Sequence, residues 1–203
     1  MAISNGYATL AEVKASLRIN DTVDDALLEI AIESASREID GLANRTFALA
    51  GTAATARTFI ATNSNWVWVD DFASTTGFTL LTADSLDGNF ATTWGTADYQ
   101  LEPLNNVAGG ISWPYTRIRS TGNLGFPASG DLAGVKVTAR WGWSAVPVAI
   151  KQATILLAAR MFKRFDSPLG VAGFGDLGAI RVSRVDPDVA ALVEPFILRR
   201  NIA

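Results

Sequence analysis

Val135-Lys-Val-Thr-Ala-Arg-Trp-Gly-Trp143 alternates along its whole length. Val135, Val137, Ala139, Trp141 and Trp143 are apolar and the residues between them are polar or glycine, the period-two pattern of a strand with one buried face. Shorter β-like runs lie upstream at 58–61, 66–69, 78–82, 99–101 and 116–119, separated by turn signals such as Asp87-Gly88-Asn89 and Gly109-Gly110. The stretch 48–145 therefore reads as an antiparallel β domain, expected to close as a small sandwich or barrel.

Both flanks of that stretch carry helical periodicity instead. Thr9-Leu-Ala-Glu12 fits a capping box opening a short helix, and Thr22-Val-Asp-Asp25 fits a second. Leu28, Ala31, Ala35, Ile39 and Leu42 then recur at helical spacing to about Asn44. On the other flank Pro147 is placed to start a helix running to about Phe165. Eight of the ten residues 153–162 are apolar on nearly all sides, so the helix must be covered on more than one face. Its cover is either a surrounding core or a neighbouring subunit. Ile150, Ile155, Leu156, Leu157, Met161 and Phe162 are the candidates for packing between subunits. A glycine-rich loop, a strand-like stretch at 180–185 and a short helix follow. Asp186-Pro187-Asp188 supplies that helix with a cap, a first-turn proline and an acidic start, and Val189, Leu192, Val193 and Phe196 form its apolar stripe.

The expected architecture is α+β. A helical domain of long antiparallel helices (1–47 and 146–203) is interrupted by a sandwich- or barrel-like insertion (48–145), with a terminal strand and short helix.

Composition narrows the function. The 203 residues include no His and no Cys, which removes Ser-His-Asp and Cys-His catalysis, thiolate or imidazole zinc sites and disulfides. No enzyme, cofactor or metal site is expected. The start of the chain lacks a basic segment followed by an apolar one, and the most apolar run is about half of the roughly 20 residues needed to span a bilayer. The sequence thus reads as a soluble protein made in a cytoplasm, with no membrane partner. The net charge of −3 argues against a general nucleic-acid binder. Charge is unevenly spread, with 1–50 net acidic and 147–203 net basic, an asymmetry able to orient one subunit against another.

Three motifs have plainer readings than chemistry. Gly173-Phe-Gly-Asp-Leu-Gly178 matches a dinucleotide fingerprint literally, but a helix precedes it and a strand follows, the reverse of what phosphate binding needs. Asp70-Asp71 is expected to be a turn with solvated charges. Of the six Trp, Trp141 and Trp143 are expected in the core, and Trp66, Trp94 and Trp113 at the surface. A Trp-rich carbohydrate- or receptor-binding module is the alternative to a structural role.

Several stretches resemble the head–tail connector (head-completion or adaptor) proteins of long-tailed bacteriophages. They are Tyr7-Ala-Thr-Leu-Ala-Glu-Val-Lys14, Asp24-Asp-Ala-Leu-Leu-Glu-Ile30, Ala35-Ser-Arg-Glu-Ile-Asp40 and Arg45-Thr-Phe47. Trp141-Gly-Trp143, Val146-Pro147, residues 153–170, Phe174-Gly-Asp-Leu-Gly178, Ile180-Arg-Val182 and Asp186-Pro-Asp188 resemble the same family in actinobacterial phages. The β insertion departs from its shorter, mostly helical members. The resemblance implies a structural virion protein assembled in the host cytoplasm. It would form a ring, typically of twelve copies, beneath the portal protein, extend the channel for double-stranded DNA without sequence-specific binding, and present a surface to the next connector or tail protein. It also makes 174–203 a docking arm for the portal, with Phe174, Ile180, Arg181, Val182, Arg184, Val189, Leu192, Val193, Phe196, Arg199 and Arg200 as candidates. A neighbouring connector such as the stopper is a second reading within this class.

Overall fold

The computed structural model describes residues 3–83, 88–128, 132–165 and 186–199. They divide into two units, one from Met1–Phe47 with Val146–Ala203 and the other from Ala48–Ala145.

The first unit is helical. Thr9 caps α1 (Leu10–Leu17) by accepting from the Glu12 amide, and the Glu12 carboxylate takes the Thr9 N–H in return, so the expected capping box forms. The second expected box does not. α2 (Asp25–Ala43) starts from Asp24 with no side-chain cap, and Thr22 contributes only its carbonyl, 3.5 Å from the Asp25 nitrogen. Lys14 meets Asp25 at 2.5 Å and joins the two helices across this junction. Asn44 ends α2 in the left-handed conformation, which its short polar side chain tolerates.

The buried face of α2 comprises Leu28, Ala31, Ile32, Ala35, Ser36, Ile39 and Ala43. It packs on α3 (Val148–Phe165), where Ile150, Ala153, Thr154, Leu157 and Ala158 are buried. Pro147 stands one residue before that helix, its carbonyl accepting the first helical bond from Lys151. α4 (Pro187–Val193) begins as its sequence predicts, with the Asp186 side chain accepting from the Asp188 amide and Pro187 in the first turn. A 3₁₀ turn (Glu194–Phe196) follows it directly. The Leu198 N–H then reaches the Ala43 carbonyl at 2.8 Å, satisfying an orphan acceptor at the end of α2. The two ends of the chain are thereby joined in one core.

The second unit is a six-stranded antiparallel sheet of order β1-β8-β2-β7-β4, with β3 beside β2, plus a two-stranded ribbon. The strands are β1 (Thr55–Phe59), β2 (Trp66–Thr82), β3 (Thr92–Thr93), β4 (Tyr99–Glu102), β5 (Val107–Ala108), β6 (Ile111–Ser112), β7 (Tyr115–Ser120) and β8 (Val135–Trp141). β5 and β6 form the ribbon, turning through Gly109 and Gly110, both at positive φ as a tight hairpin turn requires.

The expected sandwich or barrel is not what forms. Among the described residues the sheet is open, with β1 and β4 at its two ends. Closure is replaced by one long strand. The runs 66–69 and 78–82, expected as separate strands, are the two ends of β2, which pairs β7 through Trp66–Phe72 and β8 through Phe72–Thr82. Register shifts at Trp68/Phe72, Phe72/Ser74 and Ser74/Thr79 bend it, and Gly77 at φ +74° lies in the last of them.

Asp70-Asp71 falls inside this strand, which corrects the expectation of a solvated turn. Asp71 is buried and accepts the Trp143 indole N–H at 2.9 Å, while Asp70 pairs with Arg57 at 2.8 Å. Trp94 is corrected as well. It is buried, stacks on Phe126 at 4.5 Å and donates its indole N–H to Thr82. Trp141 and Trp143 are buried as their alternation predicts.

Candidate functional site

Among the described residues no group of three or more His, Cys, Asp or Glu side chains is arranged to hold a metal ion, and no helix is long and apolar enough to cross a membrane. Two regions of the described residues are built from interlocking polar and aromatic side chains.

The first is a layer on one face of the sheet. Strand register sets Trp66 opposite Arg119 and Trp68 opposite Arg117, and on the far side of β7 sets Gln100 opposite Arg119 and Glu102 opposite Arg117. Registered partners share a face. Arg117 therefore reaches over the Trp68 and Trp66 rings, 5.1 and 5.7 Å from their centroids, while its Nε donates to Glu102. Arg119 donates to the other oxygen of Glu102 at 2.7 Å. Burial pushes the Glu102 carboxyl up, but the bonds from Arg119 and Arg117 outweigh it and hold the group below its usual range. Sequence reading missed this layer. Its signal is the alternation of Trp66-Val-Trp-Val69 and Thr116-Arg-Ile-Arg119, which becomes informative only once the register is known.

These contacts bear on the Trp-rich binding alternative. Trp66 and Trp68 meet edge to face at 5.6 Å under Arg117, Trp113 lies 5.4 Å from Trp143, and Trp141 has Arg57 at 4.7 Å. Each of the six rings already has an aromatic or cationic neighbour within its own unit.

The second region is the hub of the helical unit. The Tyr7 hydroxyl donates to Asp40 and accepts the Phe47 N–H at 2.8 Å, and the Tyr7 N–H is held by Ser36 Oγ at 3.1 Å. Burial, with the Asp40 bond behind it, raises the Tyr7 phenol well above its usual range. Burial also raises Asp40, against the lowering effects of Tyr7 and Arg37. Phe47 meets Tyr7 edge-on at 5.7 Å and Phe196 at 5.9 Å. Lys151 crosses from α3 to Glu12 at 2.8 Å, and this bond, with those from Thr9, holds the Glu12 carboxyl down at about 2.

The candidates for subunit packing divide by exposure. Ile150 and Leu157 are buried in their own unit; Ile155, Met161 and Phe162 are partly covered; Leu156 is exposed. Met161, Phe162 and the exposed Phe165 line a shallow cavity of about 180 Å³ with Leu27, Ile30, Ala31 and Ser34 of α2. Of the docking candidates, Val189, Val193 and Phe196 are buried against their own helices, Leu192 is half-buried and Arg199 is exposed, pairing with Glu194 at 2.7 Å. The α4 stripe read as a docking surface is thus spent on the internal core. Phe174, Ile180, Arg181, Val182, Arg184 and Arg200 lie outside the described residues.

Comparison with known proteins bears out the connector resemblance. Residues 7–66 match the family model of phage gp6-like head–tail connector proteins, a span holding the Tyr7 hub, α1, α2 and β1. No curated protein matches the chain. Its fold is similar to a chain in the neck of an empty GTA particle with C6 symmetry, at 20% identity and TM-score 0.56, covering 100% of this chain and 95% of that one. A chain in the neck of the native particle with C12 symmetry gives the same identity and TM-score, covering 100% and 94%. A chain in the virion of the native gene transfer agent is similar at 22% identity and TM-score 0.51. At these identities the likeness is one of fold, and it runs across both units.

Proposed function

We propose that this chain is a structural connector of a phage-like particle, a ring-forming adaptor that sits between the portal and the tail components and continues the DNA channel. The observation that carries the reading is the family match over 7–66. The residues matched are those that knit the helical unit together: the Thr9 cap, the buried α2 face and the Tyr7–Asp40–Phe47 hub. Full-length likeness of fold to chains of a particle neck supports it. A ring needs an oriented subunit with two different, complementary faces. A low net charge suits a channel through which DNA slides, since many phosphate contacts would hold it.

Within this proposal the portal-docking assignment rests on Phe174, Ile180, Arg181, Val182 and Arg184, with Arg199 and Arg200 beyond α4. Truncation before Phe174 is a poor test, because it also removes Val189, Val193 and Phe196 from the core. Arg181→Glu with Arg184→Glu keeps Val189, Val193 and Phe196 in the chain. The deciding experiment is native mass measurement of the chain, alone and mixed with the portal protein of its own particle. A closed ring of about a dozen copies on the portal is expected. Absence of any association across salt conditions would overturn the adaptor reading, and a ring unaffected by the double charge reversal would overturn the docking assignment alone.

A further inference from the structure

The layer over β2, β7 and β4 carries more donors than its own chain uses. Arg117 and Arg119 each give their Nε to one oxygen of Glu102. Among the described residues neither guanidinium makes another hydrogen bond. Their side chains are 31% and 40% exposed, which leaves unused Nη donors within reach of an incoming group. No acceptor is left over inside the layer. Both Glu102 oxygens are taken, and the Gln100 amide lies 3.4 Å from one of them. The Trp68 indole nitrogen is buried in the same layer and has no hydrogen-bond partner. Two guanidiniums against one carboxylate also leave an excess of one positive charge. An oxygen-bearing anion is what the layer lacks.

The surroundings indicate which anion. Ala48–Ala145 holds five Lys or Arg against seven Asp or Glu, a net charge of −2. A nucleic-acid duplex, with one phosphate charge per roughly 1.7 Å of axis, meets an acidic unit with only this small local excess to hold it. A stacked sugar would need the place over the Trp66 and Trp68 rings that Arg117 already fills. A protein carboxylate fits better. The planar guanidinium takes it through two parallel bonds, and Arg and Trp are the residues that dominate protein hot spots. Glu102 holds both guanidiniums in place beforehand, so little freedom is lost on binding. Arg117 and Arg119 stand two residues apart on one strand, about 6.8 Å, which is also the spacing of alternate side chains in an extended segment.

We propose that this face of the sheet binds an acidic, extended segment of a protein partner. Two carboxylates at alternate positions seat on the Nη groups of Arg117 and Arg119, and apolar groups of the segment lie against Trp66 and Trp68. The site belongs to the β unit and goes beyond the adaptor reading.

The test is nitrogen-15 NMR on the full chain, titrated with the peptide Leu-Glu-Leu-Glu-Leu, capped at both ends, and with its Leu-Gln-Leu-Gln-Leu counterpart. The acidic peptide is expected to shift the indole N–H signals of Trp66 and Trp68 and the Nε–H signals of Arg117 and Arg119. The Gln peptide should bind at least roughly tenfold more weakly, because charge-assisted bonds are about twice as strong as neutral ones. Arg119→Ala leaves Arg117 on Glu102 and should weaken the acidic peptide roughly tenfold, while Lys136→Ala, outside the layer, should not change it. Gln100→Glu is the second variant. It stands opposite Arg119 in register, supplies the missing carboxylate from within, and should block the peptide while keeping the fold. No shift at millimolar peptide, equal binding of the two peptides, or undiminished binding by Gln100→Glu would overturn the proposal. Tighter binding of a short DNA duplex at the same signals would overturn it in favour of nucleic acid. Failure of the chain to form a ring on its portal would overturn the adaptor reading and leave this site standing.

Discussion

Gly142→Ala tests how tightly the β unit is closed. Gly142 sits at φ +102°, and a Cβ built there lies 2.1 Å from the Ala48 carbonyl oxygen and 2.9 Å from Leu49 Cα. Its N–H also donates to the Asp71 carbonyl at 2.6 Å. Positive φ in a non-glycine residue costs about 1–3 kcal/mol. The clash is with backbone, which cannot swing aside as a side chain would, so the bond to Asp71 is lost or its neighbours shift, adding about 1–3 kcal/mol. The sum is about 4 kcal/mol. For a unit of roughly a hundred residues, where each kcal/mol moves the midpoint by about 4–8 °C, that lowers the melting temperature by about 15–30 °C. The control is Gly109→Ala, at φ +61° with open space around it. Only backbone strain applies there, about 1 kcal/mol. Tryptophan fluorescence is the assay, because all six Trp belong to this unit and none to the helical one. If the two variants melt within a few degrees of each other, the close approach of Ala48 to Gly142 is wrong and the reasoning fails.

Other perturbations bear on the hub, the charges and the sheet layer. Tyr7→Phe strands the buried Phe47 N–H and should destabilise the helical unit by about 1–3 kcal/mol, read from thermal melts by far-UV circular dichroism. Glu12 has its folded pKa lowered from 4.5 to about 2, so the stability it contributes is present above pH 4.5 and is lost as pH falls toward 2. Glu12→Gln should flatten the loss of helical-unit stability across that window; an unchanged pH profile would show the Lys151 bond to be inconsequential. Asp40 has a raised pKa and the opposite sign, its contribution greatest at low pH and declining as pH rises through its folded value. Glu102→Gln leaves Arg117 and Arg119 beside each other without their shared carboxylate, and should cost the β unit about 1–3 kcal/mol, with added salt recovering part of it.

What could be read from the sequence was local. The Thr9 box, the Asp186-Pro187 start and the alternation of β8 depend on neighbours a few residues apart, and each appears where its pattern places it. What failed depended on distant partners. Asp71 looks like a solvated charge until the Trp143 indole, 72 residues away, is placed against it. Trp94 looks exposed because polar residues surround it in sequence, yet Leu80, Thr82 and Phe126 enclose it. The open sheet was missed because β2 continues through Asp70-Asp71 and Gly77, residues that ordinarily end strands. In the candidate surfaces, composition marked α3 as apolar all round, but which residues face its own core and which face outward follows only from α2 and α4 packing on it.

A helical unit made from both ends of the chain also imposes an order of events during synthesis. α1 and α2 leave the ribosome with Leu28, Ile32 and Ile39 bare, and α3 and α4, which cover them, follow only after the whole β unit. At about 5–20 residues per second, the β unit has several seconds to fold as a contiguous segment in the interval. Only when Phe196 and Leu198 reach Phe47 and Ala43 is the first core closed.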